Sequence, residues 1–393
     1  MATGSDGNRQ LPSLTLKTIA TKRQQSTGTL ISPSLQAPQP IPTLSLDCIA
    51  EILSRLPLKL LFQLRCQCKF FNSLFSNPNF ARQHLRYSTK CHHLMVSSSN
   101  YKGRLLFFDS PIASDFSTNS TLSPTNITYP KCLQIGYWAS SSCDGILCLT
   151  TCKGSAAILW NPSLRTFKRL PRLVNKPSLS AYSFGYDHFI NKYKVVAMSF
   201  FKDKCEVRVL TLGMYSWRKI QDFPYCGVFF GLGIFVGGTV NWLPIDNVSS
   251  LHVIVSLDLK KESYQKIQHP NLENDDWTLG ALKDCLCIYA SSGNNRFLDV
   301  WIMNEYGNKE SWTKLYCVPH MGKWGICDYT KTLYISDNDQ LLMAFYELGL
   351  GQLKLKLVVY DSKNGTFMIP EIQNLNRRMA IKVYIESLLS PCS

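Results

Sequence analysis

Fifteen cysteines and seven histidines are the residues of this 393-residue chain with the most chemistry to offer. Their spacing argues against most of it. Cys66/Cys68, Cys148/Cys152 and Cys285/Cys287 are not spaced as zinc-ligand pairs, and Cys91-His92-His93 has no second Cys or His pair at ligand distance. The cysteine count is odd and scattered. No charged start followed by an apolar run and a small-residue cleavage site opens the chain. The thiols therefore read as reduced, mostly buried small hydrophobes, and the compartment as cytoplasmic, nuclear or both. The sequons at Asn119, Asn126, Asn247 and Asn364 are then chance matches. No histidine has a carboxylate at a motif spacing, and Asp187-His188 and Asp275-Asp276 read as turn residues rather than acid–base pairs. Gly-x-Ser-x-Gly, His-Glu-x-x-His and phosphate-loop patterns are all missing. The expectation is a non-catalytic protein with no metal and no cofactor.

Binding is what remains, and the composition says where to look. Hydrophobic residues make up 45% of the chain and charged residues 18%, enough for a real core. At about 100–200 residues per domain the length suits two domains. Aromatics are unevenly divided, since the first 90 residues hold only Phe62, Phe70, Phe71, Phe75, Phe80 and Tyr87. Residues 1–40 are rich in Ser, Thr, Gln and Pro and read as a disordered leader, with an organellar transit peptide as the alternative. The net charge is +15, and residues 41–90 set seven Lys and Arg against Asp47 and Glu51. A surplus of that kind points to an acidic protein partner ahead of nucleic acid, since no Lys/Arg run is present. Phe223–Ile245 carries no charge and is long enough to span a bilayer, but it contains five glycines and two prolines. Val228-Phe-Phe and Thr239-Val-Asn-Trp-Leu around Gly237-Gly238 read instead as two buried strands and a turn. Gly231-x-Gly233 is no dinucleotide fingerprint, because the next glycine falls at 237.

Residues 42–88 have helical periodicity. Leu46, Ile49, Leu53 and Leu56 form one stripe, with Asp47 and Glu51 near its start and Ser45 in position to cap it. Pro57 ends that helix and opens the next, whose stripe is Leu60, Leu61 and Leu64. Cys68, Phe71, Leu74 and Phe75 give a third stripe, which Asn77-Pro78 stops. Three short helices of about 45 residues cannot bury all these leucines among themselves. Either a partner completes the surface or the following domain does.

Leu44-Ser-Leu-Asp47, Glu51-Ile-Leu-Ser-Arg55-Leu-Pro57, Leu64-Arg65-Cys66-Gln-Cys68-Lys69-Phe70-Phe71 and Asn77-Pro78-x-Phe80 together resemble the F-box of plant F-box proteins. That resemblance implies docking on a Skp-family adaptor and, through it, on cullin and RING subunits of an SCF-type ubiquitin ligase. The contact positions it implies are Leu44, Leu46, Ile49, Ile52, Leu53, Leu56, Pro57, Leu60, Leu64, Cys66, Lys69 and Phe71. Ser45, Gln67 and Phe71 stand where the family usually has Pro, a hydrophobic residue and Trp. Gln67 in place of a buried apolar anchor would weaken docking by about 1–3 kcal/mol.

The rest of the chain repeats. Five segments share an apolar strand, a polar turn, an aromatic and a later proline, with the aromatics at Phe167, Trp217, Tyr264, Trp312 and Phe367. They recur after 50, 47, 48 and 55 residues, the spacing of one four-stranded propeller blade per unit. In such a unit the turn (Asn364-Gly365 is the clearest) carries the chain to an aromatic that packs on the next blade. His93–Ser97, Leu105–Asp109 and Ala380–Glu386 are left over, and they make one further blade from both ends of the domain. The expected fold is therefore multidomain: a small all-α three-helix module at 42–88, then an all-β propeller-like domain of six blades at 91–390.

Cys143-Asp-Gly145-Ile-Leu, Trp160-Asn-Pro162, Phe184-Gly-Tyr186-Asp187, Gly238-Thr-Val-Asn-Trp242 and Tyr384-Ile-Glu-Ser-Leu388 resemble the F-box-associated, kelch-like domain that follows many plant F-boxes. The implied role is capture of a substrate protein, with connections around 172–180, 245–250, 291–296 and 320–328 as the recognising loops. The competing reading is a basic β scaffold that binds RNA or another anion, with the helices merely packed against it. Neither reading involves a membrane.

Overall fold

Two prolines partition the first described segment. In the computed structural model Pro57 stands just ahead of α2 (Leu58–Arg65) and closes off α1 (Leu46–Leu53), while α3 (Lys69–Phe75) ends at Ser76. Asn77-Pro78 stops α3, as expected, but it also starts α4 (Pro78–Tyr87), so the module has four helices rather than three. The reason is local. Pro78 takes the first helical position, where its missing N–H costs nothing, and the Asn77 side chain accepts the Asn79 N–H at 2.8 Å. The structure describes residues 44–88, 90–99, 105–112, 121–122, 125–127, 137–151, 154–173, 179–225, 232–245, 251–273, 277–294, 296–319, 328–349, 352–372 and 379–392. The leader expected at 1–40 lies outside them, as do Asp275-Asp276 and Val228–Phe230.

Six four-stranded antiparallel sheets follow, together with a two-stranded parallel pair of Thr121–Leu122 and Glu371–Ile372. The second blade runs Tyr137–Cys143, Ile146–Thr151, Ala157–Asn161 and Thr166–Arg169 from inside to outside. The third runs Leu179–Asp187, Lys192–Phe200, Cys205–Thr211 and Arg218–Lys219, and the fourth to sixth repeat the plan from Ile234 to Met368. The innermost strands touch their neighbours in sequence all the way round. The first blade closes that ring: Met379–Ile385 pairs with His92–Ser99, which pairs in turn with Leu105–Pro111 and so to Thr125–Asn126. Both ends of the domain meet in one sheet, as the leftover strands require.

Within the uncharged stretch, Ile234–Val236 pairs with Thr239–Trp242 across Gly237 (φ +56°) and Gly238 (φ +83°). Both central residues have positive φ, the conformation a tight hairpin turn demands and glycine supplies without strain. No helix among the described residues is long and apolar enough to cross a membrane.

The repeating aromatics seal the blades to one another, but in the reverse of the expected direction. Trp217 Nε1 donates to the Pro171 carbonyl at 2.8 Å, Tyr264 Oη to Gln221 at 3.2 Å and Trp312 Nε1 to Gln268 at 2.9 Å. Each acceptor lies one or two residues past the outer strand of the preceding blade. The aromatic thus reaches backward, because at that level the carbonyls past the neighbour's last strand have no further strand to bond. Phe367 packs instead on Tyr360 of its own blade, ring centroids 4.9 Å apart.

One apolar core runs through both parts. Leu53, Leu58, Leu61, Phe75 and Phe80 of the helices are buried together with Ile146, Leu159, Tyr182, Phe184, Tyr193 and Leu212 of the second and third blades. The C-terminal segment is wedged into the same core through Leu388 and Leu389. Buried Asn161 fixes that segment, its Nδ2 donating to the carbonyls of Ser387 at 3.0 Å and Leu389 at 2.8 Å. Arg82 of α4 stacks 4.7 Å over the Tyr186 ring and donates to the Asn191 carbonyl in the third blade.

Removing Asn161 leaves two buried carbonyls without a donor, so Asn161→Ala is expected to lower stability by about 2–3 kcal/mol, measured as a fall in urea midpoint at unchanged slope. A second expectation concerns pH. His84 is buried with Nε2 2.9 Å from the Leu56 carbonyl. Burial lowers its pKa below 6.5, only partly offset by that bond. As pH falls through 6.5 the unfolded chain takes up a proton that the folded His84 refuses, so stability drops on acidification. The loss in urea midpoint from neutral pH to about pH 5.5 should therefore be smaller in His84→Gln than in the wild type.

Candidate functional site

The helices bury one face and leave another bare. On α2 the buried pair is Leu58 and Leu61, with Leu64 half-buried and Leu60 turned outward, 43% exposed. The expected stripe of Leu60, Leu61 and Leu64 is thus split, since a helix packed on a broad sheet end hides only part of its circumference. On α1, Leu53 is 7% exposed and Ile49 half-buried, whereas Leu46 (66%) and Ile52 (52%) face solvent. Cys68 is exposed at the start of α3 and lies outside the core that Phe71, Leu74 and Phe75 join.

The positions singled out for partner contact therefore fall into three groups. Leu44, Leu46, Ile52, Pro57, Leu60, Cys66 and Lys69 are exposed. Ile49, Leu56, Leu64 and Phe71 are half-buried and packed against the core. Leu53 lies within it. Phe70, not expected to take part, is 41% exposed and sits edge-on to Phe71 at 5.4 Å. Its signal was available: on a helix whose inner side already holds Phe71, Leu74 and Phe75, Phe70 points elsewhere. Gln67 is exposed as well. Around this face Arg55 pairs with Glu51 at 3.0 Å, and Arg65 Nε donates to Asn72 Oδ1 at 2.8 Å. The site has exposed apolar side chains bordered by charged ones, the composition typical of a protein–protein interface.

Side-chain clusters that spacing alone did not reveal lie elsewhere. His93 Nδ1 is 3.0 Å from Asp109 Oδ2, its Nε2 is 3.5 Å from Glu386 Oε1, and Tyr384 Oη donates to Asp109 Oδ1 at 3.0 Å. Burial alone would lower the His93 pKa, but Asp109 and the Glu386 charge outweigh it and the net shift is upward. Both ring nitrogens are engaged, so the group ties the last strand to the first two of its blade. Asp187 is the turn residue expected, its Oδ1 accepting the Phe189 N–H, and it is also ion-paired at 2.9 Å with buried Lys194. Burial alone would raise the Asp187 carboxyl, yet the Lys194 and turn-amide bonds hold it below its usual range. Lys194 also meets Glu262 of the fourth blade at 3.0 Å. Among the described residues no group of three or more His, Cys, Asp or Glu is placed to hold a metal ion.

Residues 174–178, 246–250, 295 and 320–327 of the candidate loops lie outside the described residues. The strand ends that flank all four connections belong to one end of the ring, because they join second to third strands or lead from one blade to the next. The turns joining first to second strands occupy the other end, where Arg82 meets Asn191.

Comparison with known proteins agrees with this architecture. Residues 41–83 match the F-box domain, and residues 92–389 match the F-box associated beta propeller domain. An F-box/kelch-repeat protein of Arabidopsis thaliana is 28% identical over 371 residues, spanning 88% of this chain and 96% of that one. The Arabidopsis thaliana F-box protein CPR1 is 26% identical, covering 89% of each. A solved oligogalacturonate lyase in complex with manganese is similar at TM-score 0.40 and 11% identity over 70% of this chain and 77% of that one, too distant to carry an argument. With four helices leading into six blades, and family matches over both parts, the chain belongs to the plant F-box proteins that carry a C-terminal F-box associated β-propeller domain.

Proposed function

We propose that the chain is the substrate-recognition adaptor of an SCF-type ubiquitin ligase, working in the cytoplasm, the nucleus or both. Its helical module docks on a Skp-family protein, and through it on cullin and RING subunits, while the β-propeller holds the protein to be ubiquitinated. One observation supports this most: after the ring has covered the inner face of the helices, Leu44, Leu46, Ile52 and Leu60 are still in water. Each such side chain fully buried by a partner contributes about 1.5–3 kcal/mol. Lys69, Cys66 and Pro57 border that apolar patch, and half-buried Ile49, Leu56, Leu64 and Phe71 shape it from below. Leu53 acts on this reading by supporting α1 rather than by touching the partner.

The chain's own contribution is non-catalytic: it fixes the target close to the ligase's active subunits and raises its effective concentration there. The ring end away from the helices, flanked by the four candidate loops, is the natural place for the target. Copurification with a Skp-family protein tests the docking. Leu46→Asp with Leu60→Asp is expected to lower the affinity by about a hundredfold or more while the thermal midpoint stays within a few degrees, because both side chains are already solvated. Leu53→Asp should instead unfold the module. Retention of the partner by the Leu46/Leu60 variant at wild-type affinity would defeat the proposal.

A further inference from the structure

From Gly145 to Tyr186 the chain has no Asp or Glu, but it has Lys153, Arg165, Lys168, Arg169, Arg172 and Lys176. The second blade places four of these along its outer edge, where the two-residue period of the strand sends Lys168 and Arg169 to opposite faces. Lys168 and Arg169 lie on its outermost strand, Thr166–Arg169, with Arg165 in the turn before it and Arg172 just beyond. Those eight residues run roughly 20 Å along the rim. Arg165, Arg169 and Arg172 are exposed and Lys168 is half-exposed. None of the four has an ion pair among the described residues.

The other blades treat their outer cations differently. On the outer strands of the third and fifth blades Arg218 is neutralised by Glu262 at 2.6 Å, Lys219 by Asp222 at 3.0 Å and Lys314 by Asp299 at 2.6 Å. Against those neutralised cations, the four of the second blade stand together without an ion pair among the described residues. Leaving such charges together raises the local potential and favours an anionic visitor.

The strand itself indicates which kind. Among the described residues Thr166–Arg169 pairs with Ala157–Asn161 and no second strand, so it is a sheet edge. Leu170 N–H bonds inward to the Ala157 carbonyl, and the two-residue period then turns the main-chain groups of Phe167 and Arg169 outward. The Phe167 carbonyl accepts the Cys392 thiol at 3.6 Å. A polypeptide can add its own main chain to such an edge and set carboxylates against the guanidinium groups. A nucleic acid can set phosphates against the same cations but cannot continue the sheet ladder.

We propose that the outer rim of the second blade is a binding surface for an acidic polypeptide segment laid along Thr166–Arg169. It goes beyond the adaptor role and does not depend on it. The test is fluorescence anisotropy of the full chain with a labelled short poly-glutamate peptide, and in parallel with labelled oligouridine of the same charge. Lys168→Glu with Arg169→Glu is expected to weaken peptide binding about tenfold or more. Arg172→Glu, outside the strand, should weaken it in the same direction without touching the sheet. Lys260→Glu with Lys261→Glu, at a turn of the fourth blade, should leave it unchanged. The proposal fails if the peptide does not bind, if the rim variants bind it as the wild type does, if the fourth-blade variant loses as much, or if oligouridine binds more tightly than the peptide.

Discussion

The apolar core shared by the helices and the second and third blades is the constraint on which the rest depends. A four-helix unit of this size cannot hide all its leucines internally. Here it hides Leu53, Leu58, Leu61, Phe75 and Phe80 against Tyr182, Phe184, Tyr193 and Leu212, with Leu388 and Leu389 filling the seam. That burial fixes which side of each helix is spent on folding. By subtraction it also fixes which side stays in water. The outward residues Leu46, Ile52 and Leu60 are interspersed with Leu53, Leu58 and Leu61, which are anchored below.

The ring is stabilised by repetition of small devices rather than by one dominant contact. Three aromatics each return a hydrogen bond to the blade before them, and buried Lys194 joins Asp187 of its own blade to Glu262 of the next. Leaving one partner of such a buried group unpaired would cost far more than the group contributes when paired. Cys143-Asp-Gly145 is tied to the same architecture: Gly145 has φ +80°, and a Cβ there would lie 2.5 Å from the Ile385 carbonyl. What looks in the sequence like a family signature is here a close backbone approach between the second blade and the closing strand.

Much of this was legible beforehand, and the failures have physical causes. The period of the aromatics counts five of the blades, because each unit must solve the same packing problem. Sewing the first blade from both ends follows from having three strand-like segments and no other place for them. The fourth helix was missed because Asn77-Pro78 is equally good as a stop and as a start, and only the packing of Phe80 and Ala81 decides. The split of the α2 stripe was illegible because Leu58, Leu60, Leu61 and Leu64 are chemically alike, and which of them faces inward depends on how the ring meets the helix. His93, Asp109 and Glu386 came together only through strand pairing across nearly the whole chain. Spacing rules cannot see such encounters.

Residues 387–389 sit in the seam beneath helices that begin at residue 46. During synthesis the helical module leaves the ribosome some three hundred residues before the segment that completes its inner face. Its inner face is therefore covered in stages, first by the second and third blades and last by Leu388 and Leu389. A chain that stalls late would leave the seam at Leu388 and Leu389 open, with apolar surface of the kind that makes incomplete chains prone to aggregate.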